Sequence, residues 1–209
     1  VADLGAREGT QAFWAGIALS SAGFTFALFA PIWGVFADRY GRKLMVCRAM
    51  FGGAAVLFLM SLARTLPQLV FFRMLQGMFS GTLAASIALV AGVVPRSRSG
   101  FALGMMQAAV FIGNAIGPFF GGLAADGFGY RASFRIGALL TALGGLLVLL
   151  GTHDPFIPAA RRSGDRSPGF RAIALLPGFL ISVAVLFGVR LCNSLANPSF
   201  PLIVSTLLK

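Results

Sequence analysis

Apolar residues in this chain come in blocks of about twenty or more, separated by short polar gaps, and no other feature restricts its fold as far. A helix rises about 1.5 Å per residue, so about twenty apolar residues cross a hydrocarbon core about 30 Å thick. Inside lipid every backbone N–H and C=O must find its partner within the protein, and a helix provides this within a single segment. The blocks run from Gln11 to Ala37, Leu44 to Ala63, Pro67 to Val94, Phe101 to Ala125, Ala132 to Gly151 and Phe170 to Leu195. They predict an all-α polytopic membrane protein with about six transmembrane helices. Only 11% of the residues are charged, against about 25% in soluble domains, so the chain cannot cover itself with polar surface in water. The lipid bilayer is its expected solvent.

A net charge of +11 raises the question of nucleic acid. The basic residues, however, sit mostly in the gaps between apolar blocks, and alternate gaps carry them unequally. Arg39, Arg42, Lys43, Arg48, Arg96, Arg98, Arg161, Arg162, Arg166 and Arg171 fall on one side, against Arg7, Arg64, Arg131, Arg135 and Lys209 on the other. Because cytoplasmic loops carry the excess of Lys and Arg, the first set is expected inside, and no nucleic-acid partner is implied. Both ends of the chain then face outward, as expected of an internal piece of a longer protein.

The short gaps imply antiparallel neighbours in a bundle over residues 1–151. Residues 152–169 are different, with Pro155, Pro158, Arg161, Arg162, Asp165, Arg166 and Pro168, and read as an exposed linker, after which 170–209 would begin a second bundle. Cys47 and Cys192 lie far apart and in no metal-ligand spacing, so both read as small apolar fillers. His153 stands alone in a polar gap. No nucleophile is paired with a base and no metal cluster is visible, which argues against an enzyme. An internal echo is also present: Pro31, Gly34, Asp38, Gly41 and Arg42 are matched by Pro118, Gly121 or Gly122, Asp126, Gly129 and Arg131. An odd number of crossings separates the two stretches, as three-helix inverted repeats require.

The most specific stretch is Gly34-Val35-Phe36-Ala37-Asp38-Arg39-Tyr40-Gly41-Arg42-Lys43. Gly34 would let a neighbouring helix approach and Gly41 would permit a tight turn. Asp38 would accept charge-assisted hydrogen bonds or face the positive end of a helix dipole. Arg39, Arg42 and Lys43 serve as positive-inside residues in any case, but that role does not account for Gly34, Asp38 and Gly41. The third block carries Arg73 several residues inside, with Gln76 on the same helical face, and Gly77, Gly81 and Ala85 at four-residue spacing. An arginine at that depth costs a few kcal/mol unless it snorkels or faces a polar interior. The fourth block carries Gly113, Gly117 and Gly121 in a stripe suited to close packing, with Pro118 positioned to kink the helix and Gly122 adjacent. In the last block Arg190 and Asn193 share a face, as cavity-lining polar groups would.

The stretch from Gly34 to Lys43 resembles the signature loop of the major facilitator superfamily, between that family's second and third helices. The resemblance covers nearly the whole chain and implies a partial major facilitator fold running from the second helix to the seventh. Within it, the residues from Gly34 to Lys43 would form a conformational latch. Arg73 and Gln76 resemble the fourth-helix motif implicated in proton coupling, and Gly113, Gly117, Pro118, Gly121 and Gly122 resemble the fifth-helix motif of exporters. The resemblance implies a bacterial inner-membrane, multi-pass drug:proton antiporter, monomeric when full length, driven by the proton gradient with no cofactor. Its partners would be a small-molecule substrate and protons. A metabolite-uptake symporter on the same fold and a non-transporting membrane scaffold are the competing readings. None of the acidic residues Asp3, Glu8, Asp38, Asp126, Asp154 and Asp165 lies mid-span, so the proton-carrying carboxylate is expected elsewhere.

Overall fold

A computed structural model of the chain describes residues 10–152, together with Val185 and Gly188, and all structural statements concern these. The expected linker from His153 onward and the last block, with Arg190, Cys192 and Asn193, lie outside the described residues.

The described chain is helical throughout. Helix α1 spans Gln11–Tyr40, α2 Arg42–Ser61, α3 Leu66–Phe79, α4 Thr82–Val93, α5 Ser99–Phe128 and α6 Tyr130–Gly151, with a 3₁₀ turn at Arg96–Arg98. Five segments are long and apolar enough to cross a bilayer, α3 and α4 together making one of them. These match the first five apolar blocks, with ends shifted by a few residues.

Two of the junctions consist of a single glycine. Gly41 has φ 98° and ψ 153°, and its N–H bonds the Ala37 carbonyl at 3.1 Å. Gly129 repeats this with φ 80°, ψ 157° and a bond to Ala125 of 2.9 Å. A side chain in this left-handed region would meet its own backbone, so glycine is required for a reversal this short. Each glycine follows a 30-residue helix that contains a proline, Pro31 in α1 and Pro118 in α5. The echo seen in sequence is thus repeated in backbone geometry.

The third apolar block differs from expectation. It is not one helix: Ser80 is extended and Gly81 is left-handed at φ 112°, which separates α3 from α4. A break within an apolar span leaves carbonyls that water cannot reach, and here side chains answer them. Ser80 Oγ donates to Gln76 O at 2.8 Å, Trp33 Nε1 to Met78 O at 2.7 Å, and Arg48 Nη2 reaches Ser80 O at 3.4 Å. The start of α3 is fixed more conventionally. Pro67 sits in its first turn, Thr65 caps it by accepting from the Gln68 N–H, and Gln68 Oε1 accepts from the Arg64 N–H at 2.9 Å.

The core lies along α2, which buries Met45, Val46, Cys47, Ala49, Ala54, Val56 and Met60 and packs along α6, α3 and α4. Cys47 is a small core residue there, as read from sequence. At the far end of α2, Ser61 is fully buried and Arg135 of α6 reaches it, Nε to Oγ, at 3.4 Å. By contrast α5 buries none of its residues, and Phe101, Phe111, Phe119 and Phe120 are all exposed. Those rings suit a surface that meets acyl chains.

The chain order places Gly41 and Arg96–Arg98 at one end of the bundle and Arg64 and Gly129 at the other. With Cys47 and Cys192 replaced, a cysteine at exposed Arg98 is expected to react with an impermeant thiol reagent from the cytoplasmic side only. One at exposed Arg131 should react from outside only. Reversed labelling would overturn the orientation read from the charge count.

Candidate functional site: a basic helix junction, a broken helix and an apolar cavity

The α1–α2 junction gathers Asp38, Arg39, Gly41, Arg42 and Lys43. Helix α2 therefore opens on two cations, the wrong sign for the positive end of its own dipole. Their side chains explain the placement. Arg42 Nη1 donates to Ala88 O, midway along α4, at 2.7 Å, and Lys43 Nζ donates to Thr152 O, the cap of α6, at 2.6 Å. Lys43 thus serves the negative end of α6, while Arg42 bonds a mid-helix carbonyl, and together they tie α2 to α4 and α6 at the face expected to be cytoplasmic. Arg39 lies against the Tyr40 ring, 5.6 Å from its centroid.

Asp38 is exposed in the last turn of α1, where its own helix dipole is unfavourable for a carboxylate. It lines a cavity of about 240 Å³ between α1, α2 and α4, together with Gly34, Trp33, Arg48, Ser80 and a row of alanines on α4. A Cβ at Gly34 would meet nothing within 4 Å. Among the described residues, then, Gly34 lines this cavity and has no neighbouring helix against it.

The close approach is made instead at Gly77. Its Cβ would fall within the van der Waals envelope of the Ala22 carbonyl oxygen and of Thr25 Oγ1 on α1. Thr25 Oγ1 donates to Met74 O at 2.8 Å and Trp33 Nε1 to Met78 O, so two side chains of α1 are bonded to carbonyls one turn apart on α3. Arg73, on the same helix, is half-buried and donates from Nη1 to Gln76 Oε1 at 3.0 Å. The structure brings that pair together. On α5, Cβ atoms at Gly113, Gly117, Gly121 and Gly122 would meet nothing within 4 Å among the described residues. Pro118 is accommodated within a continuous helix.

Arg48 is the residue that sequence reasoning undervalued, because it was counted only as a positive-inside charge. Its guanidinium lies 3.6 Å from the centroid of the Trp33 ring, and its Nε and Nη1 are buried without a hydrogen-bond partner among the described residues. The available signal was its depth, six residues inside α2, the same argument that singled out Arg73.

Comparison with known proteins places this geometry in context. The model of the Major Facilitator Superfamily matches residues 2–208. A protein named multi-drug resistance efflux pump PmrA from Streptococcus pneumoniae is 37% identical over 161 residues, 77% of this chain and 40% of the relative. A protein named multidrug resistance protein MdtG from Serratia proteamaculans is 39% identical over 174 residues, 82% of this chain and 42% of the relative. A protein named staphyloferrin B transporter from Staphylococcus aureus is 38% identical over 146 residues, 68% of this chain and 35% of the relative. The chain spans about two fifths of the length of these relatives.

Proposed function

The chain belongs to the major facilitator superfamily, and from that premise we propose that it is the greater part of one half, with the start of the other, of a secondary transporter that exports drug-like small molecules in exchange for protons. The observation that carries this reading is the exposed glycine face of α5. Gly113, Gly117 and Gly121 recur on one side of an apolar helix with no described neighbour within 4 Å of their Cβ positions. In a protein of the relatives' length, a helix of the other half would close against that face, and the closure would be one of two states that alternate. Three of the five residues matching the exporter motif, Gly113, Gly117 and Gly121, make up this face.

In this reading the latch acts at the cytoplasmic end. Arg42 and Lys43 hold α2 against α4 and the end of α6, while Asp38 is left exposed to engage the opposite half. Arg73, held by Gln76, tunes a proton carrier that lies elsewhere, since the described carboxylates, Asp38 and Asp126, are both in the last turns of helices. The proton gradient supplies the energy, no cofactor is required, and the inner membrane of a bacterium is the setting.

The test is efflux by the full-length protein in inverted membrane vesicles. Drug addition should dissipate an imposed proton gradient, and Gly117→Leu should reduce transport at least about tenfold while membrane insertion survives, because a large side chain blocks close approach. Normal transport by the leucine variant would mean that the stripe faces lipid. Acidification of the substrate-receiving compartment would indicate symport instead.

A further inference from the structure

Leu66–Val93 is one apolar span, and lipid favours a single unbroken helix across it because only the helix itself answers its backbone groups there. The chain instead stops at Ser80 and Gly81 and starts again at Thr82. In an unbroken helix the carbonyls of Gln76, Met78 and Ser80 would accept from the amides of Ser80, Thr82 and Ala84. In the break each carbonyl has a substitute donor: Ser80 Oγ on Gln76 O at 2.8 Å, Trp33 Nε1 on Met78 O at 2.7 Å, and Arg48 Nη2 on Ser80 O at 3.4 Å. The Ser80 N–H has moved one residue along and donates to Gly77 O at 3.1 Å. These acceptors are therefore answered in either arrangement, by different donors.

The two arrangements are also balanced in what each gives up. The break leaves α4 to begin with no side-chain cap, so its first amides lose the carbonyls that a continuous helix would supply, and the Arg48 contact is long. Straightening gives up the Trp33 bond and the hold of Arg48, whose guanidinium lies against the same ring. Gly81, at φ 112°, is the residue type that makes the break inexpensive. There is also room for movement. The side-chain bonds from α1 to this span, Thr25 to Met74 O and Trp33 to Met78 O, end on α3. Beyond the break, Gly34 and Ala37 of α1 face Ala84, Ala85 and Ala88 of α4 across open space, so α4 can shift without a collision of large side chains.

We propose that the third span is a two-state element. In one state the helix is broken and held by Trp33 and Arg48; in the other it is continuous, and the amides of Thr82 and Ala84 displace those side chains from Met78 O and Ser80 O. Because Arg42 bonds Ala88 O, the shift of α4 is passed to the basic junction at the start of α2. The switch lies within this half and does not depend on the direction of transport.

Pulsed electron–electron resonance on the full-length protein in nanodiscs reads the two states, with spin labels on cysteines at exposed Phe71 and Val93 in a cysteine-free background. A continuous helix fixes that separation near 33 Å, at about 1.5 Å per residue, and a break releases it from that value. Leu83→Pro repeats in α4 the position that Pro67 takes in α3, the second residue after the cap. Its ring would collide with Phe79 O in a continuous helix, so it should show the broken state alone. Gly81→Ala strains the left-handed position and should raise the ratio of continuous to broken helix at least about fivefold. Adding Trp33→Phe removes the donor to Met78 O and should make the continuous form predominate. Trp33→Phe alone, the mildest change, should move the ratio in the same direction, and the parent supplies the broken reference if Leu83→Pro does not fold. One distance distribution shared by the parent and the Gly81→Ala, Trp33→Phe double variant would overturn the proposal and make the break a fixed kink. So would a Leu83→Pro protein that keeps only the continuous distance.

Discussion

A methyl group added at Gly77 is expected to destabilise the bundle by about 3 kcal/mol or more, at the upper end of overpacking costs. The obstacle decides the magnitude. Were the neighbour the tip of a flexible side chain, it would move, but the added Cβ meets the backbone carbonyl of Ala22 and the hydroxyl that bonds α1 to Met74 O. Relief requires α1 and α3 to separate, which breaks the Thr25 bond and strains the Trp33 bond to Met78. The control is Gly117→Ala on α5, where a Cβ meets nothing described within 4 Å. Replacing a helical glycine with alanine ordinarily stabilises by about 0.5–1 kcal/mol, so the two substitutions should differ in sign. Thermal unfolding of detergent-solubilised protein, followed by loss of the monodisperse peak, measures both. A Gly77→Ala protein as stable as the parent would mean that α1 and α3 do not approach as closely as the structure has them.

The same pair of glycines shows what the sequence can and cannot reveal. Both belong to stripes at four-residue spacing, and spacing identifies a helical face but not what stands opposite it. Gly77 meets a backbone, while Gly117 meets no described residue. The spans themselves were legible because lipid demands long apolar helices, and the turns at Gly41 and Gly129 because a one-residue reversal needs positive φ. The break at Ser80–Gly81 was not legible from hydropathy. A left-handed glycine within an apolar run leaves the average unchanged, and the donors that make the break tolerable, Trp33 and Arg48, are remote in sequence. For the same reason Arg42 and Lys43 could be read as topogenic charges but not as the cations that bond carbonyls of α4 and of the α6 cap.

Arg73→Lys is expected to reduce proton-driven export by about tenfold to a hundredfold while changing substrate affinity by less than about threefold. The fold-change follows from the loss of a charge-assisted hydrogen bond worth about 1.5–3 kcal/mol. Arg73 is half-buried about 10 Å inside its span, and its guanidinium is held by Gln76 Oε1 at 3.0 Å. That bond occupies one edge of the planar fork and sets the direction of the rest, so a carboxylate or substrate group approaching from elsewhere would meet donors already in place. Lysine keeps the positive charge but presents a rotatable ammonium that Gln76 cannot orient in the same way. Gln76→Leu separates the two contributions. It leaves the arginine charge but removes its positioning partner, and should reproduce part of the export defect, again with little change in binding. If Arg73 only snorkels toward the outer headgroups, lysine can do the same on its own long stem, and both substitutions should be nearly silent. Proton-driven efflux in inverted vesicles of the full-length protein, measured beside equilibrium drug binding, distinguishes the cases. Wild-type efflux in both variants would remove Arg73 from the coupling mechanism. A parallel fall in binding and export would instead make it a substrate contact.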